Sequence, residues 1–190
     1  MAASKQVKSI DQVVSDLGRY PLEAFDFLRE GLAHAVQKVH GQPSRIEQVV
    51  QQWMARNDVD LEHLDRMYES GELPSHIQNL VDKLGGSAAL NRHVSGQQLC
   101  TGICDMAMER WGLMASIVLR HWHINTTEDF GRMVFALVDS GHLQKRSEDN
   151  LDDFKKVYDF RAAFDLAYEV RLRKDLDQKG AAKEGRASSQ

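Results

Sequence analysis

SGQQLCTGICDMAMERWGLMASIVLRHW, residues 95–122, decides the fold. Ser95-Gly96-Gln97-Gln98 has the form of a capping box, in which hydroxyl and side-chain carbonyl each take up a backbone N–H at a helix start. Leu99, Cys100, Ile103, Met106, Ala107 and Trp111 then recur at helical spacing. Gly112 separates them from Leu113, Met114, Ile117, Val118, Leu119 and Trp122. Both runs cover far more of the helix circumference than one narrow stripe, and a helix that is apolar on several sides is covered on several sides. Two such helices in succession are expected to form the centre of a core or a subunit interface. The chain therefore reads as mainly α, a compact helical domain.

Amphipathic runs flank that centre. Upstream, Phe25, Leu28, Leu32, Val36 and Val39 line a helix from about Pro21 to Gly41, and Gly31 inside it implies a close neighbour. Ser44-Arg45-Ile46-Glu47 is a second capping box, followed by Ile46, Val49, Val50, Trp53 and Met54, with Asn57 expected to end the helix in the left-handed conformation. Two shorter helices use Leu61, Leu64, Met67 and Tyr68, stopping at Gly71, and Ile77, Leu80, Val81 and Leu84, stopping at Gly85. Residues 57–72 hold six acids against one arginine, which reads as a solvated face. Downstream, Thr126-Thr127-Glu128-Asp129 opens a helix carrying Phe130, Val134, Leu137 and Val138, ended by Gly141. Ser147-Glu148-Asp149 is expected to open another with Leu151, Phe154 and Tyr158, and a last helix to run through Phe160, Phe164, Ala167 and Leu172. A small hairpin or wing within 143–158 is the one open element.

This reading divides the chain into a helical core (10–41 and 91–176) and an inserted three-helix segment (42–90). Residues 1–9 and a weakly basic tail, 177–190, lack the apolar content to bury a core and are expected to be disordered.

Composition narrows the class. The chain has 190 residues, 42% hydrophobic, with 3 Pro, 13 Gly and 2 Cys, which excludes collagen, low-complexity chains and disulfide scaffolds. No stretch approaches the roughly 18 unbroken apolar residues of a membrane span. Two cysteines and a polar start without a signal-peptide core point to the cytoplasm. A net charge of −4 argues against a protein held to nucleic acid by bulk charge.

Four blocks carry a resemblance. Tyr20-Pro21-Leu22-Glu23-Ala24-Phe25-Asp26-Phe27, Arg92-His93-Val94-Ser95-Gly96-Gln97-Gln98-Leu99, the run 129–138 and Val157-Tyr158-Asp159-Phe160 occur in that order. Together they resemble the signature stretches of an uncharacterised bacterial hypothetical-protein family of verrucomicrobial and planctomycete type. The resemblance implies that the middle blocks form one fold unit, and that 42–90 is inserted relative to the family. The family has no established activity, so the resemblance supplies no catalytic residue.

Chemistry is sparse. No phosphate-binding glycine loop, His-Glu-x-x-His, Gly-x-Ser-x-Gly or dinucleotide fingerprint occurs. His93 and Ser95 could be an acid–base and nucleophile pair, but residues two apart at a helix start diverge, and Ser95 with Gln98 reads first as a cap. Cys100 and Cys104, one turn apart, could approach a metal with His93 or His121, yet both lie on the apolar face, where cysteine behaves as a small hydrophobe. His121 and His123 flank Trp122 and project about 100° apart per residue. Residues 113–143 could form a winged helix-turn-helix offering Arg132 to a phosphate backbone, but Glu128, Asp129 and Asp139 share that helix.

The expectation is a non-enzymatic interaction or regulatory protein acting through an apolar helical surface on another protein or a second copy. No cofactor and no membrane association are expected. Its interaction candidates are His93, Ser95, Gln97, Gln98, Trp111, Trp122 and Arg132. A winged-helix-like nucleic-acid binder is the alternative, and a metal-dependent enzyme a more distant one.

Overall fold

The computed structural model describes residues 8–166, with eight α-helices and no strand among them. In chain order these are α1 (Ile10–Leu17), α2 (Leu22–His40), α3 (Arg45–Asn57), α4 (Leu61–Ser70), α5 (Ser75–Leu84), α6 (Gly96–Trp111), α7 (Ala115–His121) and α8 (Thr127–Asp139). Short 3-10 turns lie at Ser87–Leu90, Gly112–Met114 and Leu151–Phe154, and a π-helical stretch at Arg161–Leu166. The chain divides into two compact units: one takes the described residues up to Ala35 and from Ser95 onward, the other is Val36–Val94.

The first unit is built on a close contact between α2 and α6. A Cβ at Gly31 would stand 2.6 Å from Cγ1 of Ile103, and one at Gly102 would stand 2.6 Å from Cβ and 2.8 Å from Cα of Ala35. Each helix thus gives up a side chain where the other approaches, and Phe25, Leu28, Ile103 and Ala107 are buried. The expectation of a close neighbour at Gly31 is met by Ile103.

A second wedge is aromatic. Phe154, 4% exposed, is seated against two glycines. A Cβ at Gly96 on α6 would lie 2.8 Å from its ring, and one at Gly131 on α8 equally close. Phe154 reaches this seat from a 3-10 turn, where Asn150 caps and Asp153 returns a bond to the Asn150 N–H at 3.0 Å.

That turn corrects two expectations. The stretch 143–158 forms turns and the 3-10 turn, with no hairpin or wing. Ser147-Glu148-Asp149 opens no helix: the Asp149 carboxylate instead closes back on the Arg146 N–H at 2.8 Å, and capping passes to Asn150. At the other end, Ser9 caps α1 through the Gln12 N–H, and Lys8 pairs with Asp16 at 2.8 Å, so these two residues are held. The rest of the N-terminal stretch, the tail 177–190, and Ala167 and Leu172 of the expected last helix lie outside the described residues.

The second unit has its own core of Val50, Leu64, Leu73, Ile77, Val81 and Leu90, with Trp53, Met54 and Tyr68 against it. The capping box at Ser44 and Glu47 is present. Its backbone and hydroxyl bonds to Ser44, with Arg92 at 3.2 Å, hold the Glu47 carboxyl below its ordinary range. Asn57 stays inside α3, donating its amide to the Trp53 carbonyl at 2.7 Å, and Asp58 takes the left-handed position at φ 53°. The acids of 57–72 are exposed, save that Asp65 accepts the Ser87 hydroxyl.

Candidate interaction face

The wide apolar surfaces of α6 and α7 are largely consumed within the first unit. Cys100, Ile103, Met106, Ala107, Ala115 and Leu119 are buried. Trp111 and Trp122 close an aromatic cluster with Phe27, at centroid separations of 4.8 Å for Phe27–Trp111 and 5.5 Å for Trp111–Trp122. Arg110 lies over Phe27 and Trp111 and pairs with Glu30. The two tryptophans, singled out as interaction candidates, are half-buried in the unit's own aromatic cluster.

Three neighbours do not. Leu113, Met114 and Ile117 are 46%, 52% and 51% exposed. The cause is local. Gly112 adopts φ 52° and ψ −121°, a conformation side-chain-bearing residues rarely take. It ends α6 and restarts the chain as a 3-10 turn leading into α7. The restart buries Ala115, Ser116 and Leu119 and leaves Leu113, Met114 and Ile117 on the opposite side. Arg120 and His121, in the last turn of α7, are exposed beside them. The sequence reading left this run to the centre of a core or to a subunit interface; the signal for the exposure of these three residues is the glycine together with the two basic residues sharing their face.

The most heavily bonded polar group is Asp129, 1% exposed. Its Oδ1 accepts from the Tyr20 hydroxyl and from Arg132 Nη1, each at 2.7 Å, and is ion-paired with Arg19 Nη2 at 3.2 Å, while that nitrogen donates to the His123 carbonyl. Its Oδ2 accepts from the N–H groups of Asn125 and Thr126 at 2.8 and 3.0 Å, and from the Thr126 hydroxyl at 3.3 Å. Burial pushes this carboxyl up, but the Asn125 N–H, the Tyr20 hydroxyl, the Thr126 N–H and Arg19 together outweigh it, and the net shift is downward. With every lone pair engaged, Asp129 is a poor base and a strong anchor. Burial and then Asp129 push the Tyr20 phenol up. Arg132, expected as a surface contact, has its guanidinium on Asp129.

The remaining candidates have local roles. Ser95 and Gln98 form the capping box of α6, with N–H bonds at 3.3 and 2.9 Å. Gln97 is exposed, and its carbonyl accepts the Thr101 hydroxyl at 2.9 Å. In the second unit, the His93 N–H donates to Asn91 Oδ1 at 3.0 Å, and its carbonyl lies 2.8 Å from His40 Nε2. Cys100 is buried, its thiol pushed up to about 12, first by burial, and its carbonyl accepts the Tyr158 hydroxyl at 3.2 Å. Such a thiol is neither nucleophile nor ready metal ligand. Cys104 is half-buried and His121 exposed. Among the described residues no group of three or more His, Cys, Asp or Glu is arranged to hold a metal, and no helix is long and apolar enough to cross a membrane.

Compared with family models, curated proteins and solved structures, the chain finds no match.

Proposed function

We propose that this is a non-enzymatic interaction protein whose binding face is the exposed side of α7, and that the face receives an amphipathic helix of a partner protein with carboxylates along its rim. One observation carries the reading: Leu113 and Met114 of the turn and Ile117 of α7 stand about half exposed, while Ile103, Met106, Ala107, Ala115 and Leu119 of the flanking helices are buried. An apolar cluster rimmed by polar residues is the form a helix-in-groove contact takes. Charge selects the occupant. Arg120 has no carboxylate partner among the described residues, its guanidinium bonding only to the Ser116 hydroxyl. A second copy docked face to face by a two-fold axis would present the same Arg120 and His121 to this face. An acidic rim complements it.

A regulatory role in the cytoplasm belongs to the same proposal, supported by the absence of any disulfide among the described residues and by the lack of a catalytic constellation in the sequence. The resemblance to a family without established activity adds no chemistry to it. The nucleic-acid alternative draws little support, since the guanidinium of Arg132 is engaged by Asp129.

Two designed helical peptides with a leucine face, one rimmed by Glu and one by Lys, test the reading by NMR titration of the full chain. The Glu-rimmed peptide is expected to shift the amides of Leu113, Met114 and Ile117 saturably, to weaken with salt, and to lose its effect on Ile117→Glu. Absence of saturable shifts, or equal binding of the Lys-rimmed peptide, overturns it. A concentration-dependent dimer in light scattering that Ile117→Glu abolishes assigns the face to a second copy and overturns the proposed occupant.

A further inference from the structure

Bordering the apolar face of α7 along Arg120 lies an open cleft of about 280 Å³, lined by Ser116, Arg120, Asn125, Phe160 and Arg161. Among the described residues its lining holds two guanidiniums, a hydroxyl and an amide, and no carboxylate. We infer that this cleft is a binding site for a phosphate monoester, with Arg120 and Arg161 on the phosphate and Phe160 against the organic group. Arg120 borders both this cleft and the face of Leu113, Met114 and Ile117, whereas Arg161 and Phe160 belong to the cleft's lining, so variants at Arg161 and Ile117 tell the two readings apart.

The donors fit that chemistry. Arg120 Nη2 donates to Ser116 Oγ at 3.1 Å, one turn back along α7, which holds the guanidinium in place. Ser116 is 4% exposed and, having accepted from Arg120, keeps its own O–H to donate. The Arg161 guanidinium has neither a hydrogen bond nor a carboxylate partner among the described residues. Asn125 gives its N–H to Asp129 at 2.8 Å and its side-chain Nδ2 to the His123 carbonyl at 3.3 Å, so it holds the cleft's edge, with one amide hydrogen left to donate. Two cations and this many donors exceed what the two oxygens of a carboxylate can accept. The three oxygens and double charge of a monoester dianion use them better, and guanidinium forks suit phosphate geometry.

The cleft's aromatic lining residue is packed among other rings. Phe160 is held by rings on several sides, with centroids 6.2 Å from Phe130, 5.7 Å from Tyr158 and 5.1 Å from Phe164. It sits at the junction into the π-helical stretch that begins with Arg161, a widened turn of the kind often met at binding sites. An apolar ring in the same lining as two cations favours an organic phosphate over the bare ion.

Calorimetric titration of the full chain with phenyl phosphate and with inorganic phosphate tests this. Phenyl phosphate is expected to bind saturably and more tightly than inorganic phosphate, with inorganic phosphate competing. Arg120→Gln and Arg161→Gln are each expected to weaken it by roughly tenfold, and Arg120→Lys by less, with far-ultraviolet circular dichroism unchanged. Ile117→Glu is expected to leave it unaltered. No saturable binding of phenyl phosphate, or binding retained in the double Arg120→Gln, Arg161→Gln variant, overturns the site. Equal affinity for the two phosphates overturns the role given to Phe160.

Discussion

The Tyr20 hydroxyl donates to Asp129 Oδ1 at 2.7 Å, joining residues 109 positions apart in sequence. Tyr20 lies just before α2 and Asp129 in the first turn of α8, so one buried bond ties the early and late parts of the first unit together. Asp129 does double duty, since its other oxygen caps α8.

Removing that charge has a measurable cost. Asp129→Asn keeps the shape but places an amide nitrogen among donors, and is expected to destabilise the first unit by about 2 kcal/mol or more. Tyr20→Phe, which removes one bond to a charged acceptor, is expected to cost about 1.5 kcal/mol. Urea unfolding in a Trp53→Phe background checks this, because the fluorescence then comes from Trp111 and Trp122 alone. Unchanged midpoints in both variants would contradict the anchor role.

The same carboxylate gives the first unit an acid-sensitive component of stability. Its folded pKa lies below the ordinary value, so the unfolded chain takes up the proton first. The contribution is complete above the unfolded pKa, near 3.9 on the ordinary scale, and is lost as pH falls through the lowered folded value. The difference in thermal midpoint between the natural chain and Asp129→Asn should therefore be widest near neutrality and shrink below about pH 4. A difference that grows toward low pH would reverse the assignment.

The two glycines of the α2–α6 contact are not equivalent. At Gly31 the nearest atom belongs to the Ile103 side chain, which can shift, and alanine gains about 1 kcal/mol in a helix. At Gly102 the new methyl meets Cβ, Cα and N of Ala35, so backbone has to move. Gly102→Ala is expected to lose about 2–3 kcal/mol, and Gly31→Ala distinctly less. Denaturation midpoints rank them, and the opposite order would show that α2 gives way more readily than Ile103.

Local signals were legible in the chain. Both Ser-x-x-Glu/Gln boxes are formed, because hydroxyl and side-chain carbonyl lie within one turn of their targets and need no tertiary help. Gly71, Gly85 and Gly141 end or follow their helices with positive φ for the same reason. What escaped was non-local or short. The α1 helix has only eight residues, and its Ile10, Val13, Val14 and Leu17 stripe sits in polar text. Thr126 and Asp129 announced a helix start, but nothing in the order of residues says that Tyr20 and Arg19 arrive at that carboxylate. Phe154 was placed on an ordinary helix because its spacing allowed one, whereas two distant glycines set where it goes. For the candidate face, the apolar content of 113–117 was visible, yet its direction depended on the unusual backbone of Gly112.

The first unit is stitched from two lengths of chain, whereas the second is continuous. During synthesis the nascent α2 leaves the ribosome with Phe25 and Leu28 bare and its partner Ile103 still untranslated. Val36–Val94, by contrast, has every residue of its own interior in hand once Leu90 emerges. The order of emergence thus obliges the early helix to wait, sheltered or aggregation-prone, until the later half of the message has been read.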